Sequence, residues 1–299
     1  MKRFIIIDGN ALIHRAFHAL PPLTTKAGEL VNAVYGFTSV LLRVLKELKP
    51  DYMAVTFDLA APTFRHKEYK EYKAKRVKAP QELYDQIDKV KEVVRAFNIP
   101  IYEEEGYEAD DVIGTIAHQL RDVEVIIVTG DLDTLQLVNE NIKIFTLKRG
   151  INDTSVYDRE EIEKRYDLKP IQMVDFKGLR GDPSDNIPGA PGIGEKTAIK
   201  LLKQFGDIEN LYKGIEENKL LINEKMAEKL ITFKEQVLFS KYLATIRNDV
   251  PIEVNIKLCS LKNYDYQKAV ELFEKFEFHN LIKRLPQNNT QSVNLTMDL

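Results

Sequence analysis

Short apolar runs that stop at carboxylates constrain the fold of this chain more than any other feature. Phe4-Ile5-Ile6-Ile7 ends at Asp8, Ala54-Val55-Thr56-Phe57 ends at Asp58, and Val125-Ile126-Ile127-Val128 leads to Asp131 and Asp133. Two more groups complete nine carboxylates in five clusters: Glu108, Asp110 and Asp111 in Gly-Tyr-Glu-Ala-Asp-Asp, and Asp182 and Asp185 in Gly-Asp-Pro-Ser-Asp-Asn. Apolar runs of this length read as buried parallel strands. In an open α/β sheet the carboxyl ends of the strands line the ligand crevice. Acids at several such ends converge there, and cations between them relieve their repulsion.

Residues 1 to about 150 alternate β-rich runs, at 4–7, 53–57, 99–102, 123–128 and 142–145, with helical spacing at 34–48, 83–97 and 112–120. That alternation predicts a mostly parallel sheet flanked by helices. After about residue 158 helical patterns dominate, at 195–205, 225–239 and 266–276, and the stretch from Pro188 to Gly194 is the strongest break. Residues 287–299, rich in Asn, Gln, Ser and Thr, read as a disordered tail. The net charge of −3 does not by itself advertise a nucleic-acid partner, but nine clustered acids mask a more basic remainder. A single cysteine, Cys259, excludes an internal disulfide framework and a cysteine-based zinc site. Asp8 cuts the first apolar run too short for a signal peptide, and no stretch approaches the roughly 18 apolar residues of a membrane span. A cytoplasmic protein is expected.

Taken singly, each acid has a plain reading. An Asp after a strand is usually a turn residue or a helix cap. Glu108 and Asp111 are three apart at a helix start, where acids favour the dipole. Asp182 and Asp185 share one face of a turn. Five clusters together, with almost no Lys or Arg inside them, point instead to joint metal ligation. Hard oxygen donors without His or Cys favour Mg²⁺ or Mn²⁺. Two such ions about 4 Å apart can generate a hydroxide and stabilise both oxygens of an in-line phosphoryl displacement. A phosphodiester is the natural substrate, although phosphatases and polymerases share the logic.

Between Arg65 and Lys78 seven Lys or Arg stand against two Glu, with Tyr69 and Tyr72 interleaved. The strip is either a solvated face or a grip in which cations such as Lys70 hold a phosphate backbone while tyrosines stack on bases. Gly192-Ile193-Gly194-Glu195-Lys196-Thr197 lacks the glycine that a phosphate-binding P-loop places before its lysine, and no strand precedes it. It reads as a helix-hairpin-helix, in which Gly192 and Gly194 let backbone amides approach a DNA phosphate beside Lys196 and Thr197. A structural helix–helix turn is the alternative.

The ordered set Asp8-Gly9-Asn10, Asp58 through Pro62 to Phe64-Arg65, Tyr72-Lys73, Tyr107 to Asp111, Thr129 to Asp133, Gly181 to Asn186 and Pro191 to Ala198 resembles a known family. It is similar to the bacterial 5′→3′ exonucleases of the flap endonuclease superfamily, among them the N-terminal nuclease domain of DNA polymerase I, over about residues 1–285. The resemblance implies a PIN-like sheet domain at 1–170, a helical arch at about 64–80, an all-α helix-hairpin-helix region with closing helices at 171–285, and a tail at 286–299. It implies cleavage of DNA, and of RNA primers in RNA–DNA hybrids, at 5′ ends and 5′ flaps, leaving 5′-phosphate products in primer removal and repair. Asp8, Asp58, Glu108, Asp110 and Asp111 would serve a first metal, and Asp131, Asp133, Asp182 and Asp185 a second. Arg65, Tyr72, Lys73 and Arg76 would line the arch, with Lys73 and Arg76 polarising the scissile phosphate, and K⁺ would bind at the hairpin of a monomer. Leu132 departs from the lysine often found there, which alters a local charge and no ligand. The chain stops where a polymerase I would continue, so it is expected to be either a stand-alone nuclease or a piece of a longer polymerase. A non-catalytic DNA clamp, a phosphatase using Asp8 as nucleophile, and a PIN-type ribonuclease are the rival readings.

Overall fold

The structure, a computed structural model, describes residues 1–147, 150–151, 153–217, 222–261 and 264–286. Its centre is a six-stranded sheet in the order β3-β2-β1-β4-β5-β6. These are β1 (Arg3–Asp8), β2 (Tyr52–Thr56), β3 (Ile101–Tyr102), β4 (Glu124–Thr129), β5 (Ile142–Leu147) and β6 (Thr154–Tyr157). Neighbours from β3 through β5 run parallel, while β6 pairs antiparallel with β5. Side chains alternate across β1 by the two-residue period of a strand. Phe4 and Ile6 enter one apolar cluster, and Ile5 and Ile7 enter the other on the opposite face. Burial on both faces is why these runs are continuous in apolar residues rather than alternating.

The first 119 residues supply α1 (Gly9–Ala19), α2 (Asn32–Leu48), α3 (Phe64–Glu68), α4 (Gln81–Tyr84), α5 (Ile87–Ala96) and α6 (Ala109–Gln119). Helix α6 covers one face, while α2 and α5 pack on the other. The spacing at 83–97 predicted one helix, but the structure breaks it between α4 and α5. There the buried Gln86 turns its side chain to α2, its Oε1 accepting from Ala33 N at 2.8 Å and its Nε2 donating to Asn32 Oδ1 at 3.2 Å. Helix α1 was not anticipated, because Asp8-Gly9 reads as a turn. Gly9 instead opens the helix, and a Cβ there would lie 2.3 Å from the Phe57 ring.

The second half holds α7 (Arg159–Tyr166), α8 (Met173–Arg180), α9 (Glu195–Phe205), α10 (Ile208–Glu216), α11 (Glu224–Thr232), α12 (Lys234–Ala244), α13 (Tyr266–Lys275) and α14 (His279–Ile282). The helix expected at 225–239 divides at Phe233 into α11 and α12. The C-terminal segment does not stay with the helical region: Ala269, Phe273, Phe278 and Leu281 join the apolar cluster that holds α2 and α5. The arch expected at 64–80 is helical only in α3, and the rest is turns and extended chain, a strap rather than a helical arch. The tail at 287–299 lies outside the described residues.

Candidate metal centre and nucleic-acid interface

The chain runs from β1 outward to β3 and then returns to the other side of β1 at β4, so the strand order reverses between the parallel neighbours β1 and β4. A cleft of about 710 Å³ opens at the carboxyl ends of these strands. Asp8, Asp58, Glu108, Asp110, Asp131, Asp133 and Asp185 all line it. Asp8 ends β1, where Oδ1 caps α1 by accepting from Ala11 N at 2.9 Å and Oδ2 accepts from the Thr129 hydroxyl at 2.7 Å. Asp58 follows β2 and accepts from Ala109 N at 2.7 Å, tying the strand end to the start of α6. Asp131 follows β4 and caps the 3-10 helix Leu132–Leu137 through Asp133 N at 2.9 Å. Asp8 and Asp131 are therefore helix caps, and all three carboxylates are fixed by backbone bonds that leave lone pairs available to a cation.

Crowding raises the cost of charge here. Burial pushes the Asp8 carboxyl up to about 7, with Asp58 and Asp131 adding repulsion against the bonds from Thr129 and Ala11. Burial, then Asp131, raise Asp133 to about 7 despite Lys177. Asp110 is driven well above the ordinary carboxylate range by burial and by Asp131, Asp8 and Asp133. Such a set invites cations. Among the described residues, Asp133, Asp182 and Asp185 bring carboxylate oxygens within 4.8 Å of one another. These all-oxygen donors fit a hard divalent ion.

Two expected site residues have other work. Asp111 was expected as a metal ligand, but it is fully buried and absent from the cleft wall. Its oxygens accept from both terminal nitrogens of Arg65, at 2.6 and 2.8 Å, from Arg247 N at 2.8 Å and from Glu108 N at 3.1 Å. Arg65, expected among the arch cations facing substrate, is 3% exposed and also donates to the carbonyls of Leu243 and Thr245. The pair is an anchor that ties the root of the strap to α6 and to the end of α12.

The rest of the strap bears directly on the acids. Lys73 Nζ lies 2.8 Å from Glu108, and Arg76 lies 2.5 Å from Asp185. The Tyr72 hydroxyl is 3.0 Å from Glu108 and 3.1 Å from Asp185, but its single proton serves only one of them at a time. Tyr69 packs edge-on against Phe239 of α12, so neither tyrosine lies open as a stacking platform. Lys70 is exposed.

The loop between α8 and α9 carries the last acids at one end and the glycine hairpin at the other. Asp182 and Ile187 exchange backbone bonds of 2.9 Å, and Ser184 donates twice to Asp182 Oδ1. Gly181 and Gly189, both at positive φ, touch: a Cβ on Gly189 would lie 2.2 Å from Gly181 N. Beyond them Gly192, Gly194 and Lys196 are exposed at the start of α9, with Thr197 half-buried. This leaves the first amides of an eleven-residue helix open to an anion.

Several residues at the site were not anticipated. His14, Arg15 and His18 of α1 line the cleft, hidden because α1 itself was unread. Lys177 of α8 pairs with Asp133 and, at 2.6 Å, with Asp182. It lies five residues before Asp182, and only a helix ending at Arg180 brings it back to the acids.

Residues 3–167 match the family described as 5'-3' exonuclease, N-terminal resolvase-like domain, and residues 168–267 match 5'-3' exonuclease, C-terminal SAM fold. The chain is 43% identical over 293 residues to DNA polymerase I of Bacillus subtilis (strain 168), covering 97% of this chain and 33% of that protein. It is 46% identical over 292 residues to DNA polymerase I of Chloroflexus aurantiacus, covering 94% and 30%. The chain thus spans about a third of the length of these relatives. Among solved structures, T5 5'-exonuclease with bound zinc superposes with a TM-score of 0.65 at 21% identity, over 95% of this chain and 100% of that one. The catalytic core of Rad2 in complex with DNA substrate gives 0.57 at 17% identity, over 95% and 93%.

Proposed function

Since this chain belongs to the 5′→3′ exonuclease family, we propose that it is a metal-dependent 5′ nuclease that cleaves DNA at 5′ ends and 5′ flaps. The observation that carries the reading is the convergence of acids from β1, β2, β4, α6 and the α8–α9 loop on one cleft roofed by a cationic strap. Asp8, Asp58, Glu108 and Asp110 would hold one Mg²⁺ or Mn²⁺, and Asp131, Asp133, Asp182 and Asp185 a second. When bound, such ions supply Lewis acidity that activates water and offsets charge on the phosphoryl group. Lys73 and Arg76 would move from carboxylate to phosphate oxygens and orient the scissile group. Tyr72, restrained by Glu108 and Asp185, would hold the strap over the cleft.

The exposed amides beside Gly192 and Gly194, with Lys196 and Thr197, would grip a duplex phosphate without reading sequence, and the bare hairpin backbone is where K⁺ would bind. Lys70 would add a phosphate contact. We assign 1–170 to the nuclease unit and 171–285 to DNA binding, with the last two helices returning to the first unit. A monomer in the cytoplasm, removing RNA primers as well as DNA flaps, is the working setting. Among the described residues no helix is long and apolar enough to cross a membrane.

Incubation of labelled 5′-flap DNA and a matched RNA with Mg²⁺ tests the reading. Cleavage of the DNA is expected, leaving a 5′ phosphate. Asp131→Asn should lower turnover by at least about a hundredfold while DNA binding persists, since metal chemistry accounts for several kcal/mol. Full activity of Asp131→Asn, or cleavage of RNA alone, contradicts the reading.

A further inference from the structure

We infer that Lys177 is the built-in counter-ion of the second cation site, holding Asp133 and Asp182 together until a divalent ion displaces it. The inference rests on the proposed nuclease reading and concerns a residue outside every acidic motif. The Lys177 side chain is only 15% exposed, and its Nζ pairs with Asp133 and lies 2.6 Å from Asp182. Those two carboxylates, with Asp185, are the group whose oxygens gather within 4.8 Å. An ammonium between two of three gathered carboxylates competes with any ion bound by all three.

The neighbours show why the ammonium is placed there. Asp185 takes its charge from the strap, through Arg76 at 2.5 Å. Asp182 has Ser184 and Lys177, while Asp133 pairs only with Lys177 among the described ion pairs. Without that lysine, the half-buried Asp133 and the buried Asp182 would face each other with no cation between them. Lys177 also belongs to α8, and α8 leads directly into the loop that bears Asp182, Asp185 and the hairpin. Its departure on ion binding would therefore register on the element that also grips DNA. In this role Lys177 is a positioning residue, acting on the carboxylates.

The test is calorimetric titration of the intact chain with Ca²⁺, a hard ion suited to oxygen ligands, comparing wild type, Lys177→Met and Asp182→Asn. Lys177→Met should tighten the weaker of two sites on the order of tenfold, since one charge pair no longer has to be broken. Unchanged or weaker binding in Lys177→Met, with two sites present in wild type, overturns the inference and leaves the nuclease reading intact. A single site in wild type, insensitive to Asp182→Asn, overturns the two-ion reading and the inference with it. Should Lys177→Met fail to fold, amine labelling of wild-type Lys177 read by mass spectrometry decides. Several-fold faster labelling with saturating Ca²⁺ supports displacement, and unaltered protection refutes it.

Discussion

Arg65 and Asp111 show how far one side chain's task can lie from the motif that contains it. Asp111 stands beside Glu108 and Asp110 in a single acidic stretch, yet only its neighbours face the cleft. Helical geometry separates them: Asp110 and Asp111 are adjacent on α6 and therefore project about 100° apart. Asp111→Asn removes the bidentate charge partner of the Arg65 guanidinium, 3% exposed, and leaves it only Glu108 at 3.6 Å. We expect a loss of about 3–5 kcal/mol in stability, the usual cost of breaking a buried ion pair from one side. Urea unfolding of the intact chain measures it, and a loss below about 1 kcal/mol would return Asp111 to the candidate ligands. Spacing in the sequence could not separate these roles, because a carboxylate that binds metal and one that binds arginine are the same residue.

The α8–α9 loop would join the two proposed tasks through the contact of Gly181 with Gly189. Gly189→Ala places a Cβ against backbone, where nothing flexible can yield, and at a φ of +60°. The loop must then open, displacing Asp182 and Asp185 on one side and the amides before α9 on the other. The expected outcome is joint weakening of Ca²⁺ affinity and of affinity for duplex DNA, each by about tenfold, the size of one disturbed contact network. If titration shows one affinity falling and the other untouched, the two ends are mechanically independent. Apolar period and glycine punctuation announced β1 to β5 and α9, because those signals are local, but not the short edge strand β6. The break at Gln86 and the non-helical strap were illegible, since each depends on a partner distant in sequence: Ala33 for Gln86, and Glu108 and Asp185 for the strap.

On the proposed reading, folding and metal binding would be linked, because the site lies at the ends of strands buried between two apolar cores. Asp8 and Asp133 titrate near 7 in the fold against an ordinary value near 4, so the folded chain holds more protons between those limits. Stability from these groups is full below about pH 4 and is lost as pH rises through 7. Without divalent ions, the unfolding midpoint should therefore fall between pH 5.5 and pH 8. Mg²⁺ fixed at a hundred times its pH 8 dissociation constant should restore about 2.7 kcal/mol per site at pH 8 and less at pH 5.5, where protonated carboxyls bind it more weakly. Denaturant unfolding at both pH values, with and without Mg²⁺, checks the sign, and a flat profile would show that the acids are already compensated. The convergence of the clusters was legible because strand ends in a parallel sheet must share a crevice. Which cation already stands among them was not, since Lys177 reaches Asp133 across the chain.

On the proposed reading, one loop that bears carboxylates at its start and a phosphate cradle at its finish would work as a ruler. The span from grip to cut would then be set by folded backbone, pinched shut by two glycines, rather than by the substrate. Lengthening that loop would shift the incision along the strand, and the altered product sizes would record the protein's own dimension.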